Sequence, residues 1–255
     1  MLLSLEGTPL WRGAIMTQEF KLNGLPQETK IKAIRAWCTG WAVQKFSHTR
    51  SSGKNQGAHI AKVMSLAGGF KVPFYVELAV ALHDFLEYEE ECNLETTRKE
   101  MNRKLSAYAD ELSEAIQSDD SPNLQLDSET IRVLSATRII HLVELATESR
   151  NASSWKSRKL EIETRIVEEN HDDFASLMLI LKTDGLMEAV GVLADGQPLS
   201  SWSKGSAEEN IAHYERLSEI FGGFKVPADL LELYRHYLSR FKSLLQRDDE
   251  ANESG

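Results

Sequence analysis

Cysteine is nearly absent from this chain: two residues in 255, Cys38 and Cys92, lie too far apart for a disulfide framework or a zinc-finger spacing. That scarcity suits a reducing compartment, and a cytoplasmic location is expected. Long apolar runs are missing too. The "LMLIL" at 177–181 falls far short of a membrane span, so no membrane partner is expected. The first residues, "MLLSLEGTPLWRG", lack a basic region and carry Glu6 in their apolar stretch, unlike a signal peptide. No lysine or arginine block stands out, the net charge is -10 and the pI is near 5.3. A nucleic-acid backbone is therefore not expected as a partner, and an anionic ligand would need a local cationic pocket.

Alternating strand patterns are also lacking, whereas helical periodicity runs through most of the chain. The expected fold is all-α. Spacing predicts helices over 27–46, 56–67, 73–91, 95–116, 128–148, 157–170, 173–192, 206–221 and 227–246. The connections "SDDSPN" at 118–123 and "ADGQPLSSWSKGS" at 194–206 carry turn residues. No low-complexity tract separates two regimes of composition. One helical domain over 27–246 is expected, after an N-terminal extension at 1–26 and before a flexible polar tail at 247–255.

One hexapeptide occurs twice. "GGFKVP" starts nine residues after His59 and again nine residues after His213. Each copy reads as a helix end with a glycine in the left-handed conformation, then a proline opening the next helix. Convergence on good capping and duplication of a helical hairpin both explain it. In the second copy, His236, Tyr237 and Leu238 stand where the first has Leu82, His83 and Asp84. The hairpin by itself thus does not require a His-Asp pair.

That pair interrupts "FYVELAVALHDFLEYEE", a helix apolar nearly all round until His83 and Asp84, with Glu87 one turn on. Burying an imidazole beside a carboxylate costs several kcal/mol or so unless something pairs with them. A metal ion meets that need, since neighbouring His and Asp side chains can both reach an ion over the helix surface. His59 supplies a third ligand if the GGFKVP turn folds its helix back. Asp184 follows a strongly apolar segment, as His83 does, and is the expected fourth.

The pattern H…HD…D resembles the HD-domain metal-dependent phosphohydrolases. Within them it resembles the hydrolase domain of RelA/SpoT-type alarmone enzymes and their small single-domain relatives. "RSSGKNQGAH" places Arg50, Ser52, Gly53 and His59 on the family's R-x-S-G loop and first metal histidine. "VALHDFLEY" is similar to ALLHDxxED, and "LILKTDGLME" to LIKLADRLHN. The resemblance covers roughly residues 40–190 and implies an HD-type helical bundle. It also implies manganese at His59, His83, Asp84 and Asp184, and a (p)ppGpp-like nucleotide as substrate. Glu87 would orient or deprotonate water, and Arg50 would hold the ligand through a purine face or phosphate.

The chain departs from the family at Tyr88, where a second acid is usual, at Ser51, and at Glu188, which replaces an asparagine. Tyr88 and Glu188 thus fall at substrate-contacting positions. Two classes of function follow: a nucleotide (pyro)phosphohydrolase, or an HD-fold nucleotide-binding or regulatory protein without turnover. Lys54, Lys156 and Arg158 could face phosphates but read first as solvated residues. His48, His141 and His171 read as structural or surface groups, His141 as a core residue. The tryptophans at 11, 37, 41, 155 and 202 read as packing anchors.

Overall fold

The computed structural model describes residues 27–45, 55–87, 93–107, 128–149 and 152–253. Among them every regular element is helical. These elements are α1 (Gln27–Lys45), α2 (Gln56–Gly69), α3 (Phe74–Leu82), α4 (Leu94–Ser106), α5 (Ser128–Ala146), α6 (Trp155–Glu169), α7 (Asp172–Ala194), α8 (Ala207–Gly222) and α9 (Ala228–Glu253). Short 3-10 turns occupy His83–Phe85 and Leu199–Ser201. None of the helices is long and apolar enough to cross a membrane. Arg50, Tyr88, Lys54, His48 and Cys92, with the expected extension at 1–26, lie outside the described residues.

All nine residues of α3 are buried, which is what an apolar surface on every side requires of a helix in water. It packs against α1, α2, α5 and α7. Helix α7 is the second inner element, touching α2, α3, α5, α6 and α9, with its most extensive contact on α9. The hairpins α2–α3 and α8–α9 thus share α7 as a common wall. Local sequence sets several starts: Asn55 caps α2, Ser154 caps α6, and Ser206 with Glu209 forms a capping box on α8. Cys38 sits fully buried in α1, where burial pushes its thiol up and leaves it an inert core residue.

Three boundaries differ from the sequence expectation; helix α4, expected over 95–116, ends at Ser106, and 108–116 lie outside the described residues. Helix α3 was predicted to reach 91 but stops at Leu82, and the chain turns through 3-10 geometry at His83–Phe85. His83 Nδ1 donates back to the Val80 carbonyl at 2.7 Å, filling an acceptor that the next helical turn would otherwise have used. Helix α9 runs to Glu253, past the boundary at 246 set for a polar tail. Its last residues include Gln246, Arg247 and Ala251, good helix formers that can extend a helix into solvent.

The hexapeptide turns also differ from expectation. Neither copy uses glycine in a left-handed conformation; in the first it is Lys71 that has φ of 53°. A Cβ at Gly68 or Gly69 would meet nothing within 4 Å. Each helix ends on a glycine of the hexapeptide, Gly69 or Gly222, ahead of Pro73 or Pro227. The next helix then opens directly after Pro73 or Pro227.

Candidate metal centre and its cleft

His83 leaves the buried end of α3, His59 projects from the first turns of α2, and Asp184 sits midway along α7. His83, Asp84 and His59 present one ligand atom each within 4.8 Å of one another, and all three are buried. This group could hold a metal ion.

The proton positions sharpen the case. His83 Nδ1 faces a carbonyl, which can only accept, so it carries the proton. His59 Nδ1 donates to Asp184 Oδ2 at 2.7 Å. Burial pushes Asp184 up, but the hydrogen bond and charge of His59, then those of Lys62, bring it net below the usual carboxylate range. It therefore accepts as an anion, with Lys62 Nζ 2.8 Å from its other oxygen. In the neutral imidazoles, the form that ligates a metal, both Nε2 atoms then carry lone pairs, and they face each other at 3.1 Å. Asp84 Oδ1 lies 3.2 Å from His83 Nε2, and Asp84 Oδ2 lies 3.9 Å from His59 Nε2. Three electron-rich atoms converge with no proton of their own between them. A cation with mixed nitrogen and oxygen preference fits that donor set.

Asp184 stands one step back from its expected place. It reaches the centre through His59 Nδ1, on the side of the ring away from the three converging atoms, and so orients this histidine. Gln56, unnoticed in the sequence, donates from its amide to Asp84 Oδ2.

The centre opens into a cavity of about 220 Å³. Glu87 lines it, although it stands on the turn after the 3-10 segment and not on a continued helix. Burial pushes its carboxyl up, and the negative charges of Asp84 and Glu148 add to the effect. The opposite wall is cationic. Lys159 and Lys182 share one carboxylate, Glu148, at 2.6 and 3.5 Å. Burial would raise Glu148, yet Lys182 and Lys159 hold it down to about 2. Lys159 is itself lowered by burial and by Lys182, against the pull of Glu148. Lys159 and Lys182 are the ammonium groups of a cavity that also holds the carboxyls of Asp84, Glu87 and Glu148, and they are the contacts it offers to an anion.

Trp202, Tyr214 and Lys159 also form part of a second cavity of about 290 Å³, where Trp155, Arg158 and Lys204 join them. Glu188 is buried and lines this second cavity, not the metal cavity. Trp155 and Trp202 are therefore cleft residues as well as packing groups. Trp37 and Trp41 pack as expected, stacked with centroids 5.6 Å apart. His141 is exposed, contrary to its reading as a core residue, because its place on α5 faces outward. His171 caps α7, its Nδ1 accepting from the Asp173 amide.

His213, the counterpart of His59 in the second copy, makes a similar first contact and a different second one. Its Nδ1 lies 2.5 Å from Glu163 Oε1, and Arg216 clamps the same carboxylate. Its Nε2 is buried and meets no partner among the described residues. Only the first copy turns its Nε2 toward a second histidine.

Glu148, Lys159 and Lys182 gave little sign in the sequence, since charged residues between apolar ones on a helix read as solvated. The one available signal was Lys182, two residues before Asp184 on the apolar α7. No protein-family model matches this chain, no curated protein matches it, and no solved structure matches it.

Proposed function

We propose that this protein is a divalent-metal-dependent phosphohydrolase acting on a nucleotide, with a (p)ppGpp-like compound as the substrate that the resemblance favours. The observation that carries the reading is the convergence of His59 Nε2, His83 Nε2 and Asp84 beside a cavity walled by Lys159 and Lys182. His59, His83 and Asp84 would hold the ion, with Asp184 fixing His59. Manganese is the ion that the resemblance implies, and imidazole with carboxylate suits it. When bound, such an ion supplies a Lewis acid for a phosphoryl oxygen.

The chain's own residues do the rest. Lys159 and Lys182 exchange part of their contact with Glu148 for phosphoryl oxygens and so orient the phosphorus. Glu87, its carboxyl pushed up by burial and so a better proton acceptor when ionised, takes the proton of the attacking water as the new phosphorus-oxygen bond forms and the one to the leaving group breaks. Trp155 and Trp202 offer flat apolar faces for a base, and Arg50 is the further ligand contact in this reading. Glu188, an acid buried in the second cavity, favours a second reading, a nucleotide-binding protein without turnover. The cytoplasm is the location that goes with either.

The test combines elemental analysis with product detection. Protein purified without chelator should carry about one divalent ion per chain, and Asp84→Ala should lose it. Wild type should then release phosphate or pyrophosphate from a nucleotide panel only with metal present. Equal, negligible metal in both proteins overturns the metal centre. Tight nucleotide binding without release selects the second reading.

A further inference from the structure

Gln56 is the first residue of α2 and is completely buried. Its amide nitrogen donates to Asp84 Oδ2 across 28 positions of sequence, while its carbonyl Oε1 meets no donor among the described residues. Buried amides kept for packing normally have both ends met, and an apolar side chain of similar size fills the same space without an unmet acceptor. The side chain is thus held in place for its nitrogen. Asp84 in turn has few other options. The imidazole nitrogens beside it, His59 Nε2 and His83 Nε2, carry lone pairs because both Nδ1 protons are committed elsewhere. Among the described residues, Gln56 is the group that gives Asp84 a hydrogen bond.

We propose that Gln56 is a positioning residue of the metal centre: by holding Asp84 Oδ2, it presents Oδ1 as a single oxygen ligand beside the two Nε2 atoms. The inference rests on the metal reading above and deepens it. Gln56 touches neither ion nor substrate, and acts only through Asp84. Two consequences follow for the ion. Affinity depends on Gln56, because a carboxylate freed from its donor must be reordered on binding. Coordination depends on it as well, because the freed carboxylate can offer both oxygens.

The test uses the full chain with Gln56→Leu, an apolar replacement of similar bulk. Manganese affinity is read by the loss of the free-ion paramagnetic resonance signal, and coordination by the visible absorption of cobalt added in place of manganese. Gln56→Leu should keep the far-ultraviolet dichroism and cooperative melting of metal-free wild type. It should bind manganese roughly 10- to 100-fold more weakly, with weaker cobalt bands as the second oxygen raises the coordination number. A folded Leu variant with wild-type affinity and an unchanged cobalt spectrum overturns the inference and leaves the metal reading standing. Wild type that takes up neither ion overturns both. If Gln56→Leu does not fold, Gln56→Met is measured in the same way. Failure of both to fold makes Gln56 a structural residue and also overturns the inference.

Discussion

His59 and His83 each commit their Nδ1 proton to an acceptor, a carboxylate in one case and a backbone carbonyl in the other. Their tautomers are thereby set before any ligand arrives, the usual arrangement behind metal-binding imidazoles. This separates two roles for the aspartates. Asp84→Asn should abolish manganese uptake, because the anionic oxygen itself is lost. Asp184→Asn should retain it at roughly 10- to 100-fold lower affinity, since an amide oxygen still accepts from His59 while the charge beside Lys62 is gone. Calorimetric titration of both variants checks this; equal abolition would make Asp184 a direct ligand. Glu87→Gln should keep the ion and lose about 10²- to 10⁴-fold in turnover, measured as phosphate release with metal content alongside. His83, Asp84 and Glu87 were legible because they break an apolar helix, and His59 because the turn places it. Gln56, Glu148 and Lys159 were not, since what distinguishes them is a partner far along the chain and not a local pattern.

At the level of elements, the two hexapeptide turns show how far local sequence reaches. Identical residues end a helix and start another in both places, yet one turn puts a lysine in the left-handed region and the other does not. The stop at the glycines and the restart after proline were legible; the left-handed dihedral at Lys71 was not, because the same hexapeptide adopts it in one place only. The same limit explains α3: apolar spacing predicted continuation to 91, while the tertiary contacts of His83 and Asp84 end it at Leu82. The second hairpin carries its own test. Burial holds the His213 imidazole down to about 4, despite the hydrogen bond and charge of Glu163 that act to raise it. The folded chain therefore takes up this proton less readily than the unfolded one. Stability is full above about pH 6.5, falls as the pH drops, and levels off below about 4, by roughly 3 kcal/mol at most. Urea unfolding across that range should show the loss, and His213→Gln should flatten it; an unchanged slope would place the acid sensitivity elsewhere.

For the whole molecule, the all-helical class was legible from periodicity, and the acidic balance set the condition that an anionic ligand would need a local cationic pocket. Which segments would meet around Lys159 and Lys182 was not legible, because α6, α7 and the residues just after α5 come together there, with Glu148 and Lys182 34 positions apart. Since α2 and the 3-10 turn after α3 supply the candidate ligands and α7 holds one of them through Asp184, an ion there would tie three segments of the folded state and have no comparable site in the unfolded chain. Manganese at about a hundredfold its dissociation constant should add roughly 2.7 kcal/mol and raise the melting midpoint by several degrees. Scanning calorimetry with and without the ion checks this, and Asp84→Ala should show no response. The partition between the two cavities carries a different consequence. Trp202 stands in it, against Tyr214, with centroids 6.3 Å apart. Indole emission follows the polarity and motion of its surroundings, so the protein has a built-in optical probe of occupancy from either side. A nucleotide entering the cleft should alter the intrinsic fluorescence, and Trp202→Phe should silence most of that change, which would let binding be followed without any label.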